Sequence, residues 1–139
     1  MSPATTSGRC ACGAVRYHLQ GPPKWTALCH CESCRRSASA PVVAWMGYAP
    51  DQVTWQGART FYRSSDIALR GFCATCGSQM SFESTRWPGE IHLYAASLDD
   101  PSTYRAGLHC HHAEHLGWLT IQDDLPRYPG SAPSEDPNP

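Results

Sequence analysis

CACG, residues 10–13, sets two cysteines one residue apart and closes on a glycine. Far downstream CATCG, residues 73–77, repeats the device with a two-residue gap. In extended chain a Cys-x-Cys pair puts both sulfurs on one face, and a Cys-x-x-Cys turn sets two thiolates on one side of a tight loop. Gly13 and Gly77 follow the second cysteine of each pair and relieve the turn. Four sulfurs complete a closed tetrahedral zinc site. Cys10, Cys12, Cys73 and Cys76 are therefore the candidate ligands of a structural zinc, which would tie the N-terminal segment to a distant hairpin and contribute folding free energy directly. The competing reading, four buried thiols without metal, leaves the paired spacing unexplained.

A second set lies in CHCESCRR, residues 29–36. Cys29, Cys31 and Cys34 supply three thiolates, and a catalytic zinc keeps three protein ligands and one open position. His30 faces the other way if the chain is extended there, so it reads as a wall or hydrogen-bonding residue. The alternative is a second structural zinc, completed by a distant histidine or by Cys110. Arg35 and Arg36 follow at once; cations beside an anionic zinc–thiolate centre help to hold it, and a guanidinium can clamp a carboxylate bidentately. The histidine-dense stretch LHCHHAEH, residues 108–115, reads as a polar loop or strand near the site rather than as another metal centre.

The rest of the composition bounds what this chemistry serves. A chain of 139 residues suits one domain, and a hydrophobic content of 41% is that of a globular protein. The net charge of −1 leaves no basic surplus for nucleic acid. There is no apolar run long enough for a membrane helix, and MSPATTSG lacks the features of a signal peptide. The expected location is the cytoplasm, where eight cysteines read as metal ligands before they read as disulfides.

Along the chain, residues 1–7 are small and polar and are expected to be flexible, 8–128 form the domain, and PGSAPSEDPNP, residues 129–139, is expected to be a disordered tail. Short strands are expected at 14–19, 41–48, 53–55, 59–63, 67–73, 79–83 and 90–96, with Gly, Pro, Asp and Ser between them. A short helix is expected around Glu32–Ala38 and a turn near Asp100–Tyr104. The fold is mostly β; periodicity alone leaves a sandwich, a barrel and a folded-over sheet open. Exposed β edges make a homodimer one expectation.

Taken together, GRCACGAVRY (8–17), CHCESCRR (29–36), RGFCATCGSQMSF (70–82) and the 98–128 segment, with LDDPSTY early and DDLPRY at its end, resemble the GFA/CENP-V family of glutathione-dependent formaldehyde-activating enzymes. The resemblance implies a β-tent, folded β-sheets built around a zinc. It implies a structural zinc at Cys10, Cys12, Cys73 and Cys76, and a second, loosely held catalytic-type zinc at Cys29, Cys31 and Cys34 whose open position faces glutathione. The implied activity is that of a carbon–sulfur lyase or S-(hydroxymethyl)glutathione synthase, with glutathione and an aldehyde as partners. Arg35, Arg36 or Arg70 would bind glutathione carboxylates, and Trp25, Trp45 or Trp118 would line the pocket. Two departures stand out: SASAP at 37–41 in place of Gly-Ala or Gly-Ser, and His109-Cys110-His111-His112 where members often have His followed by Ile. A glutathione- or adduct-binding carrier without turnover and a zinc-built interaction module are the other readings. The module should bring a basic extension, whereas no Lys or Arg follows Arg127.

Overall fold

The computed structural model describes residues 6–132. Its strands are β1 (Thr6–Arg9), β2 (Arg16–Leu19), β3 (Trp25–Cys29), β4 (Val43–Tyr48), β5 (Val53–Gln56), β6 (Thr60–Ser65), β7 (Ala68–Phe72), β8 (Gln79–Ser84), β9 (Ile91–Tyr94) and β10 (His109–Cys110). The helix α1 spans Glu32–Ala38. Two open sheets carry the strands. The smaller is antiparallel in the order β1-β2-β5; the larger runs β10-β3-β4-β9-β8-β7-β6 and is antiparallel except where β10 pairs with β3. The protein is thus mostly β with folded, unclosed sheets, as the resemblance implied. Among the described residues no helix is long and apolar enough to cross a membrane.

Strand alternation divides the interior in two. On β4, Met46 and Tyr48 face one way and Val43 and Trp45 the other; on β9, Ile91 and Leu93 oppose Tyr94. The first face meets Tyr17, Leu19 and Val53 of the small sheet and encloses Cys10 and Cys73. The second packs Trp25, Ala27 and Trp45 around Cys29 and Cys110. Each cysteine set therefore belongs to its own core. β4, flanked by β3 and β9, is covered on both faces, whereas every residue of the edge strand β6 is exposed. Gly47 is paired with Trp25, and a Cβ there would come within 2.2 Å of the Trp25 ring, so the indole lies against bare backbone.

The expected strands at 14–19, 41–48, 53–55, 59–63, 67–73, 79–83 and 90–96 all have counterparts, and α1 has the expected bounds. A 3₁₀ turn at Pro101–Thr103 sits in the expected segment, with the Asp100 carboxylate accepting from the Ser102 N–H. The packed chain exceeds the expected boundaries at both ends. Strand β1 begins at Thr6, inside the segment expected to be flexible, and pairs with β2 because Gly8 and Arg9 extend the ladder to Tyr17 and Arg16. Past residue 128, the Gly130 carbonyl accepts from the His111 N–H, and Ala132 is buried. Residues 1–5 and the remainder of the expected tail, 133–139, lie outside the described residues.

Candidate functional site

Two knuckles of matching hydrogen-bond pattern bring the first cysteine set together. The Cys10 N–H donates to the Val15 carbonyl and the Gly13 N–H to the Cys10 carbonyl; the Cys73 N–H donates to the Ser78 carbonyl and the Gly77 N–H to the Cys73 carbonyl. Gly13 and Gly77 turn with φ of 82° and 78°, a conformation that a side chain disfavours. The Ala11 N–H donates to Ser78 Oγ and joins the knuckles. Cys10 Sγ lies 3.6 Å from Cys12 Sγ, and Cys12 Sγ lies 3.7 Å from Cys73 Sγ. All four sulfurs fall within 4.8 Å of one another. A tetrahedron with zinc–sulfur bonds of about 2.3 Å has edges of about 3.8 Å, and the two shortest sulfur–sulfur distances match it. The Ser78 hydroxyl and N–H hold the Cys76 thiol down at about 5. Burial opposes ionisation of Cys10, but the Val15 N–H and the neighbouring thiols outweigh it and lower that thiol as well.

Cys29 ends β3, Cys31 caps α1 and Cys34 sits in its first turn. Their sulfurs also lie within 4.8 Å of one another. Cys31 Sγ accepts from the Cys34 N–H at 3.4 Å. The thiols of Cys29 and Cys34 donate to Cys31 and bring it far below the usual thiol range. Cys29 is raised by Cys110 and then Cys31, and Cys34 by Cys29 and Cys31. Among the described residues no fourth cysteine, histidine or carboxylate joins the group. Cys110 stands beside Cys29 through the β10–β3 pairing, outside the group. Three soft donors with no fourth protein ligand suit a zinc that keeps one position for something else.

The trio opens onto a cavity of about 120 Å³ walled by Trp25, Trp45, Phe82, Trp87 and His92. The expected pocket residues Trp25 and Trp45 are in this wall, while Trp118 is 73% exposed and outside it. Phe82 stacks on His92 at 5.6 Å and 23°. Glu90 Oε1 accepts from Trp25 Nε1 at 3.1 Å and lies 2.9 Å from His92 Nε2, with both the acid and the imidazole buried. Motif reading missed Glu90 and His92, although the alternation of EIHLY on β9 puts His92 and Tyr94 on the trio's face.

His30 turns away from the trio, as an extended Cys-His-Cys requires. Its Nε2 lies 2.8 Å from His109 Nδ1, and His109 Nε2 lies 2.9 Å from Asp123 Oδ2. With both rings neutral, His30 Nε2–H donates to His109, and His109 Nε2–H donates to the carboxylate. Burial, followed by the neighbouring His109, lowers His30 to about 4. His112 and His115 stack at 4.1 Å nearby. Among the described residues these histidines form no metal-binding group of their own.

The two arginines beside the trio lie elsewhere. Arg36 pairs with Glu32 at 2.7 Å on the outer face of α1, and Arg35 Nε donates to the His30 carbonyl. Neither lines the cavity; the guanidinium that does is Arg70.

The family model described as glutathione-dependent formaldehyde-activating enzyme matches residues 5–114. A putative glutathione-dependent formaldehyde-activating enzyme of Halomonas elongata is 31% identical over 106 residues, which cover 66% of this chain and 64% of that one. An uncharacterized lyase of Schizosaccharomyces pombe is 36% identical over 81 residues, covering 56% of this chain and 57% of its own. The chain therefore spans about three fifths of the length of these relatives. A crystal structure of a Rhodobacter sphaeroides protein superimposes with a TM-score of 0.56 at 25% identity, covering 67% of this chain and 87% of that one.

Proposed function

The chain belongs to the glutathione-dependent formaldehyde-activating enzyme family, and from that premise we propose that it is a zinc-dependent carbon–sulfur lyase or S-(hydroxymethyl)glutathione synthase acting on adducts of glutathione with an aldehyde. The observation that carries this reading is the convergence of Cys29, Cys31 and Cys34, without a fourth ligand in their group, at the wall of an aromatic cavity. The other set, Cys10, Cys12, Cys73 and Cys76, holds a structural zinc in this reading, because its four sulfurs close the coordination sphere.

Zinc on the trio would supply a position for a thiol sulfur and favour its thiolate. The chain's own residues then do three things. Cys29, Cys31 and Cys34 would hold the metal. Trp25, Trp45 and Phe82 keep water from the reacting carbon. The Glu90 pair with His92 and Trp25 fixes the wall in place. In the forward direction glutathione gives up its S–H proton, the sulfur bonds to the aldehyde carbon as the C=O π pair moves to oxygen, and that oxygen takes up one proton; the reverse breaks the C–S bond, re-forms the carbonyl and returns the proton to sulfur.

Zinc per chain, measured with and without glutathione, tests the reading, alongside the rate of adduct formation and cleavage. Wild type should hold close to two zinc ions, and the Cys29/Cys31/Cys34→Ser variant close to one with no turnover above the uncatalysed rate. One zinc in both proteins would remove the trio as a metal site. Two zinc ions with glutathione binding and no rate enhancement would make the protein a carrier of adducts.

A further inference from the structure

His92 is 4% exposed and stands in the wall of the trio's cavity. Four aromatic rings grip the imidazole, with centroids at 4.6 Å for Trp25, 5.3 Å for Trp87, 5.6 Å for Phe82 and 6.1 Å for Trp45. Its Nε2 lies 2.9 Å from Glu90 Oε1, the oxygen that also faces Trp25 Nε1 at 3.1 Å. An indole N–H can only donate, so Oε1 is an acceptor here and the neutral imidazole meets it as Nε2–H. Nδ1 is then the nitrogen without a proton, and it has no hydrogen-bond partner among the described residues. Among those residues the polar side-chain atoms sealed off without a partner are Ser37 Oγ and Gln79 Oε1; Nδ1 of His92 is not one of them and keeps an opening. Other titratable groups reach the same cavity. Arg70 cannot accept a proton. The His111 side chain is 31% exposed, and its Nδ1 lies 3.6 Å from Glu114 Oε2. The remaining ones are Cys110 and the trio itself.

From this placement we propose that His92 is the proton carrier of the thiol–aldehyde reaction, acting through Nδ1, with Glu90 as the positioning residue that fixes its tautomer. The proposal rests on the reading of the trio as a thiol site and adds the group that moves the proton. Going forward, Nδ1 takes the proton of the thiol S–H. The sulfur bonds to the aldehyde carbon, the C=O π pair moves to oxygen, and Nδ1–H gives its proton to that oxygen. In reverse, Nδ1 takes the hydroxyl proton, the carbonyl re-forms, the C–S bond breaks and the proton goes back to sulfur. The ring ends each direction as it began, and nothing else is consumed. The Glu90 carboxylate balances the ring while Nδ1 holds the proton, as a positioned acid–base group requires where bulk water is excluded. The cavity of about 120 Å³ keeps sulfur, carbon and oxygen close to its wall, so the transfer needs no long path.

Exchange NMR between glutathione with formaldehyde and their adduct tests this in zinc-loaded wild type, His92→Gln and His111→Gln, with zinc content and glutathione affinity measured in each. His92→Gln should lower turnover about 100-fold or to the uncatalysed rate, as expected for a lost general acid–base group, while zinc content and glutathione affinity stay at wild-type levels. His111→Gln should keep its turnover. Heteronuclear NMR of the ring nitrogens in wild type gives a readout that needs neither turnover nor a variant: the neutral His92 ring should carry its proton on Nε2 and none on Nδ1. A neutral ring with the proton on Nδ1 overturns the proposal even if His92→Gln fails to fold. Wild-type turnover in His92→Gln overturns it too and leaves the enzyme reading standing. So does a loss of zinc or of glutathione affinity in step with turnover, since His92 would then only hold the wall. Turnover lost in His111→Gln and kept in His92→Gln would put the proton carrier at His111 and overturn the role of His92. A wild type that binds zinc and glutathione without any rate enhancement sinks the enzyme reading and this role together, so wild type alone tells the two failures apart.

Discussion

Cys12 Sγ lies 3.7 Å from Cys73 Sγ across a sequence separation of 61 residues. Through this contact the turn that feeds β2 in the small sheet is joined to the β7–β8 hairpin of the large one. A metal held here would stabilise the packing of one sheet on the other. Cys73→Ser, or exhaustive chelation, should therefore lower the melting temperature by more than about 10 °C, since structural zinc sites carry folding free energy directly. Calorimetry measures this, and an unchanged melting temperature after complete metal removal would refute the structural assignment.

The trio should respond differently. Cys31 sits at the start of α1 and is not part of the buried core beneath it, so Cys31→Ser should leave the fold in place and remove the second zinc. Cys110→Ser should leave the zinc count unchanged, because that thiol stays outside the three-sulfur group. Loss of one zinc from Cys110→Ser would mean a closed four-cysteine site, and with it a structural rather than catalytic role.

Much of this was legible in the sequence because metal ligands come in short covalent spacings. Both cysteine sets were visible as Cys-x-Cys and Cys-x-x-Cys, and the short helix expected around Glu32–Ala38 is α1. What escaped depends on long-range register. Strand β10 has two residues and exists only through its parallel pairing with β3. His92 reaches the cavity because β9 pairs with β4, setting His92 against Gly47. Arg35 and Arg36 adjoin the trio in sequence, but the helix carries one outward to Glu32 and turns the other to a backbone carbonyl. Arg70, named with them through the resemblance alone, lines the cavity from β7, far away in the chain.

Asp123 gives the site a defined acid dependence. The His109 side chain, followed by the Leu125 N–H and Arg127, holds its carboxyl at about 2, below the ordinary 3.8. A carboxylate depressed on folding contributes stability that is present above 3.8 and lost as pH falls toward 2. Wild type should thus exceed Asp123→Asn in urea midpoint at pH 5, and the gap should narrow by pH 2.5. A gap of constant size would show that the His109 pair contributes nothing through ionisation.

Gly47 tests the packing of the cavity wall. A Cβ at this position would lie 2.2 Å from Trp25 Nε1 and Cε2, in a strand buried on both faces. The indole cannot yield without breaking its bond to Glu90. Gly47→Ala should cost roughly 1–3 kcal/mol in denaturant unfolding, the range for overpacked cores. A neutral substitution would mean that the Trp25 side chain has room to move.

Glu90 separates shape from charge in the same wall. One of its oxygens serves both Trp25 and His92, and all three side chains are buried. Glu90→Gln keeps an acceptor of similar size for the indole N–H, so its effect on stability should be small. Glu90→Leu fills the same space but leaves two buried donors or acceptors without a partner, at about 1–3 kcal/mol each. If the pair serves only to position the wall, thiol affinity should fall with the Leu variant and survive in the Gln variant. If both variants lose turnover while the Gln variant keeps its stability and thiol affinity, the carboxylate acts on the reaction through His92, and the wall is more than a container.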